Sequence, residues 1–101
     1  MKNWPFTDPE NVAVVTSRQI AREGQAILLV SHDEEDGCWQ FLTGGAFDTA
    51  NGMLVSLKSI VAQDSSLLEL ADLPLGWEAS RTARDQPWVR VASARPNLQE
   101  P

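Results

Sequence analysis

Residues 26–42 read AILLVSHDEEDGCWQFL, and the fold turns on how this stretch is folded back on itself. Ala26 to Val30 is an unbroken apolar run, which predicts a strand covered on both faces. His32, Asp33, Glu34, Glu35, Asp36 and Gly37 follow as a charged loop that closes with the Asp-Gly pair hairpin turns favour. Cys38 to Leu42 then reads as the returning strand. Its period of two puts Trp39 and Phe41 on one face and Cys38, Gln40 and Leu42 on the other. The stretch is therefore an antiparallel hairpin with one aromatic face.

Working outward, Val12-Ala13-Val14-Val15 is a β-branched run that predicts a first strand. Thr16 or Ser17 offers a hydroxyl cap for a short helix, Thr16-x-x-Gln19 fits a capping box, and Gly24 is placed to end the helix. On the other side, Thr43-Gly44-Gly45 breaks the strand pattern and residues 46–52 form a connection of open shape. Met53 to Leu57 fits a fourth strand or the start of a helix; the strand is favoured, with a helical turn over Leu57 to Ala62. Asp64, Ser65 and Ser66 open a compact helix with Ser66-x-x-Glu69 as its capping box. Leu67, Leu68 and Ala71 share a face of that helix, and Pro74 closes the segment. Gly76 to Arg81 and Pro87 to Val91 predict two last strands around a polar loop holding Asp85 and Gln86.

The expected fold class is α+β: a mainly antiparallel sheet of five to six strands with two or three short helices on one side. Residues 1–10, broken by Pro5 and Pro9, form an irregular arm: Trp4 and Phe6 are expected to tuck against the body, and the alternative is that they stand exposed as a partner-docking element. Residues 11–92 form the single domain, and 93–101 a flexible tail.

Charge narrows the partners. The formal net charge is -6, from 14 acidic and 8 basic residues, and Lys2 and Lys58 are the only lysines. Such a chain repels phosphate backbones, so nucleic acid is not expected as a partner; an acidic surface suits solubility first, and after it a basic protein partner or a cation. The single cysteine, Cys38, rules out an intrachain disulfide and suits a reducing compartment. Trp4, Pro5, Asp8 and Pro9 interrupt the apolar stretch a secretory signal needs, and no run reaches the roughly 20 apolar residues of a membrane span. A cytoplasmic chain without membrane contact is the expectation.

The residues that could carry chemistry do not assemble into a catalytic set. With Gly37 at position 6 of a calcium loop, His32 falls at position 1 and Thr43 at position 12, and both ends fail. A solvated turn fits better. His32 is the only histidine, and Ser31, Asp33, Asp36 and Cys38 are its near neighbours along one hairpin. Catalytic triads instead converge from separate segments. A histidine at a strand end facing solvent is the plainer reading. Cys38 follows four carboxylates, which raise a thiol pKa and suppress the thiolate. Thr43-Gly44-Gly45 could offer amides to a phosphate, with Asp48, Asn51 and Asp64 adding polar groups, but the lysine of a P-loop is missing. No catalytic residue, metal ligand or cofactor is assigned, and the chain is not expected to be an enzyme.

Four tryptophans in so short a chain carry more information. Trp39, Trp77 and Trp88 fall at alternating strand positions, where core packing is the usual explanation. Tryptophan and arginine also dominate interface hot spots. Trp77, Arg81, Trp88 and Arg90 would make a docking face if they share one side of the last two strands. Asp33, Glu34, Glu35 and Asp36 are the second set of candidate binding residues.

The run Asp36-Gly37-Cys38-Trp39-Gln40-Phe41-Leu42-Thr43-Gly44 resembles the central hairpin of a family of small bacterial domains of unknown function related to immunity proteins of polymorphic toxin systems. Val12 to Arg18, the Asp64-Ser65-Ser66 helix start and Gly76-Trp77 before a final hairpin extend the likeness over most of residues 11–91. The resemblance implies an α+β domain and, for some relatives, binding and neutralising a toxin; it implies no catalytic residue. The leading expectation is thus a non-enzymatic, immunity-like protein-binding module that meets a basic partner with its acidic loop. The alternative is a small-ligand or metal-binding domain centred on residues 32–37, with His32, Asp33 and Asp36 as its ligands.

Overall fold

The computed structural model describes residues 4–45 and 48–93. Six strands form one sheet: β1 (Ala13–Ser17), β2 (Leu29–His32), β3 (Trp39–Leu42), β4 (Gly52–Ser56), β5 (Trp77–Ser80) and β6 (Val89–Ala92). Their order is β4-β1-β3-β2-β5-β6, antiparallel throughout except for the β1–β3 contact. Two short α-helices, α1 (Arg18–Ala21) and α2 (Leu57–Gln63), and 3-10 segments at Thr49–Asn51 and Ser65–Leu70 complete the described elements. The chain is an α+β protein built on a mainly antiparallel sheet.

The expected hairpin forms, and its two strands are the middle pair of the sheet. Val30 pairs with Phe41 and His32 with Trp39, and this register turns Val30, Trp39 and Phe41 to one side. They join Val14, Ala79 and the buried residues of the helical layer, Leu57, Ile60, Val61, Leu67 and Leu70, in one hydrophobic core. The aromatic arm enters the same core. Phe6 is buried, stands edge-on to Trp39 with ring centres 5.4 Å apart, and carries Trp4 against it at 5.3 Å. Two bonds to Asp8 hold the arm down: Trp4 Nε1 donates to its carbonyl and Trp39 Nε1 to its carboxylate.

Several local expectations give way to longer-range demands. Strand β2 starts at Leu29 and not at Ala26, because the Ile27 carbonyl turns to accept a bond from the Arg81 side chain. It is also covered less evenly than a continuous apolar run implies: Val30 is fully buried, while Leu29 on the opposite face is half-buried. Thr16 is not the cap of α1. Its hydroxyl is buried and donates to the Phe41 carbonyl across the parallel β1–β3 contact, while Ser17 takes over the cap and accepts from the Ile20 amide.

The helix opened by Asp64 is a 3-10 segment capped by Asp64, not by Ser66. Its buried leucines are therefore Leu67 and Leu70, and the same spacing continues to Leu73. This is the three-residue repeat of a 3-10 turn, and it replaces the expected Leu67, Leu68, Ala71 face. Leu68 and Ala71 pack at the edge of the core. Of the open connection at residues 46–52, Asp48 to Asn51 form a capped 3-10 turn, and β4 follows directly. The expected flexible tail falls mostly outside the described residues, as do residues 46 and 47.

Candidate functional site

The acidic turn is built by its own aspartates. The Asp33 amide donates to the Cys38 carbonyl and the Gly37 amide to the Asp33 carbonyl, closing a four-residue turn in which Gly37 alone takes positive φ, +72°. One Asp33 carboxylate oxygen accepts the Glu35 amide and one Asp36 oxygen accepts the Cys38 amide. These two carboxylates are thus spent on turn backbone, as Asx side chains commonly are. Glu34 and Glu35 are exposed, and among the described residues no ion pair engages them. Glu34 folds back toward Gly76, its carboxylate 3.2 Å from where a Cβ on that glycine would stand. Gly76 has φ +81°, so its place before β5 suits glycine twice over, by backbone and by space. The turn therefore presents two free glutamates at the end of the sheet where β5 begins.

His32 is not a solvent-facing histidine. Its Nδ1 lies 2.8 Å from the Leu73 carbonyl, and its ring stacks on Trp39 with centres 3.9 Å apart. The acceptor is a carbonyl, so Nδ1 carries the proton and donates. His32 turns toward the helical layer, while Asp33, next in the strand direction, belongs to the turn. Among the described residues no group of three or more His, Cys, Asp or Glu side chains is placed to hold a metal ion. Burial, then Asp36, Asp33 and Asp8, push the Cys38 thiol above its ordinary pKa. It is held as a thiol at neutral pH, which disfavours nucleophilic chemistry.

Trp77, Arg81, Trp88 and Arg90 do share a side, but it is the side covered by the helical layer. Ala79, between Trp77 and Arg81, is fully buried and pairs with Arg90. Arg81 is only 7% exposed. Its Nε donates to the Ile27 carbonyl, one terminal nitrogen to Ser66 Oγ and the Arg84 carbonyl, and the other to the Asp64 carboxylate. The guanidinium lies 4.1 Å from the centre of the Trp88 ring, whose Nε1 donates to Ser66 Oγ. Burial pushes the Asp64 carboxyl up, but bonds from Ser66 and Arg81 outweigh it and hold the group below the usual carboxylate value.

Arg81 thus pins the 81–88 loop, and its burial leaves little of its own surface open. Arg90 is occupied as well, bonded to the Glu69 carbonyl and the Asp72 carboxylate, and the Arg90 bond and charge lower the Asp72 pKa. Trp77, 36% exposed beside His32, keeps open surface, as does Arg90.

The surface that reasoning from motifs missed is the opposite side of the sheet. Leu54, Val89 and Val91 are exposed by 70%, 58% and 47%, and Val15, Leu29 and Leu42 stand half-buried among them. The signal was available in the alternation, since Val89 and Val91 face away from Trp88 and Arg90. At the far end of the sheet, Ser17, Gln19, Gln25, Thr43, Asp48 and Asn51 line a polar cleft of about 220 Å³. Thr43, Gly45, Asp48 and Asn51 do converge there, whereas Asp64 does not line the cleft and pairs with Arg81. No helix among the described residues is long and apolar enough to cross a membrane. No family model, curated protein or solved structure matches the chain.

Proposed function

We propose that this chain is a non-enzymatic protein-binding module, of the kind immunity-like domains exemplify, that meets a basic partner at its acidic end. The observation that carries this reading is the turn at residues 33–38. Asp33 and Asp36 stiffen it by binding its backbone, and Glu34 and Glu35 are left exposed on it. A pre-formed turn with free carboxylates loses little conformational freedom when it engages a partner. The net charge of -6 adds long-range attraction for a basic surface.

The groups an enzyme would use are committed elsewhere. His32, the only histidine, is tied to the Leu73 carbonyl and stacked on Trp39, and burial with the nearby aspartates raises the Cys38 thiol pKa. The experiment is affinity capture of the tagged protein from its native lysate, with bound proteins identified by mass spectrometry. It is run at about 0.1 M salt, where charges act over roughly 10 Å, and at about 1 M, where they act over roughly 3 Å. The reading expects a stoichiometric basic protein at low salt and its loss at high salt. A partner held equally at both, or an acidic one, would refute the electrostatic reading.

A further inference from the structure

The strand register determines which side chains share the face of the sheet turned away from the helices. One row runs Leu54, Val15, Gln40, Ser31, Glu78, Val91 from β4 to β6. The next holds Leu42, Leu29, Ser80 and Val89. Aliphatic groups flank a polar centre in which Ser31 Oγ donates to Gln40 Oε1 at 3.2 Å. Glu78, on β5, is the charged residue the strands place on this face; none of them places a basic one. With strands about 4.8 Å apart, the row from Leu54 to Val91 spans roughly 24 Å. Two aliphatic patches, exposed Leu54 beside half-buried Val15 and exposed Val89 with Val91, therefore stand on either side of a polar centre on one face, a grouping that marks interaction surfaces.

We propose that this open face is the docking surface of the module, and that its occupant is a protein segment alternating aliphatic and basic side chains. Such a segment lays its aliphatic groups on Leu54, Val15, Leu29, Leu42, Val89 and Val91 and sets a lysine or arginine against Glu78. Charge selects this occupant. Glu78 stands two residues beyond Gly76, the glycine against which Glu34 folds back from the acidic turn, and the chain as a whole carries -6. A second copy of the chain is disfavoured by the same charge, because each copy carries -6. A neutral apolar partner would leave the Glu78 carboxylate desolvated and unpaired, which is costly.

The assignment rests on the protein-binding reading and locates it. The test titrates the labelled protein with a synthetic peptide alternating leucine and lysine, followed by amide chemical shifts. A peptide alternating leucine and glutamate serves as the charge control. The expected result is binding of the lysine peptide alone, with shifts concentrated in Leu29, Leu42, Leu54, Glu78, Val89 and Val91. Glu78→Lys should weaken it about tenfold or more, and Glu69→Lys, at an exposed acid of the helical layer on the other side of the sheet, should not. Leu54→Ser, at a position too exposed to endanger folding, should also weaken it.

Absence of binding, equal binding of both peptides, or shifts centred elsewhere would overturn the assignment. So would concentration-dependent shifts of the same residues without peptide, which would give the face to a second copy. If the peptide fails while a lysate partner is still retained in a salt-sensitive way, only the location falls and the protein-binding reading stands.

Discussion

Replacing Arg81 with methionine tests the energetic logic of the fold most sharply. The side chain is 1% exposed and its ion-pair partner Asp64 is 14% exposed. Arg81→Met removes four bonds at once and strands the Asp64 carboxylate together with the Ile27 and Arg84 carbonyls. Breaking a buried pair by deleting one partner costs about 3–5 kcal/mol. Because Asp64 keeps some solvent, the lower end applies, about 3 kcal/mol.

Urea unfolding followed by tryptophan fluorescence reads this directly, since Trp88 covers the guanidinium. At a denaturant slope of about 2 kcal/mol/M the midpoint should fall by about 1.5 M. The double variant Arg81→Met with Asp64→Asn should be more stable than the sum of its parts predicts, by about 2 kcal/mol, because no charge is then left stranded. If Arg81→Met stays within about 0.5 kcal/mol of wild type, the network does not pin the 81–88 loop and the burial argument fails.

Three further outcomes follow from the same geometry. Asp64 has a lowered pKa in the folded state, so the native chain holds fewer protons there than the unfolded one. Its contribution is present above the unfolded value near 3.9 and is lost as pH falls through the folded value, so Asp64→Asn should flatten the acid limb of a stability–pH curve measured below about pH 4. Gly76→Ala should cost about 1–2 kcal/mol in thermal unfolding, since a Cβ there meets both a positive φ and the Glu34 carboxylate; an unchanged melting temperature would contradict that. Cys38 should react with iodoacetamide at neutral pH more slowly than a free cysteine in a model peptide, and accelerate only as the pH passes the ordinary thiol value; a faster reaction would refute the raised pKa.

The central hairpin was legible because two adjacent strands and their turn are local: the alternation of Trp39 and Phe41 with Cys38, Gln40 and Leu42 needs no distant partner. What escaped depended on residues far apart in the chain. Thr16 looks like a helix cap until Phe41 is brought beside it by the parallel β1–β3 contact, a pairing with no local sequence signal. Arg81 looks like a surface arginine alternating with Trp77. Its burial requires acceptors from residues 27, 64, 66 and 84, which meet only in the fold. The leucines at 67, 70 and 73 have a three-residue period that an α-helical template passes over.

The candidate site divides in the same way. The exposed glutamates of the 33–36 turn follow from composition, but Trp77, Arg81, Trp88 and Arg90 pack on the helical side, because reading a shared face from alternation does not say which face the helices cover. The open face of Val89 and Val91 is written in the same alternation, but aliphatic residues in strands look like core until the sheet's uncovered side is known.

The most direct test of the central claim is the association rate of the captured partner with wild-type protein and with the Glu34→Lys, Glu35→Lys variant, measured by stopped flow across a salt series. Both positions are exposed, so the variant should keep its stability within about 0.5 kcal/mol. The account predicts a rate for the variant lower by about tenfold or more at low salt, with the two curves converging as salt is raised. Equal rates and equal salt slopes for the two proteins would contradict it, and would remove the acidic turn from the partner's path.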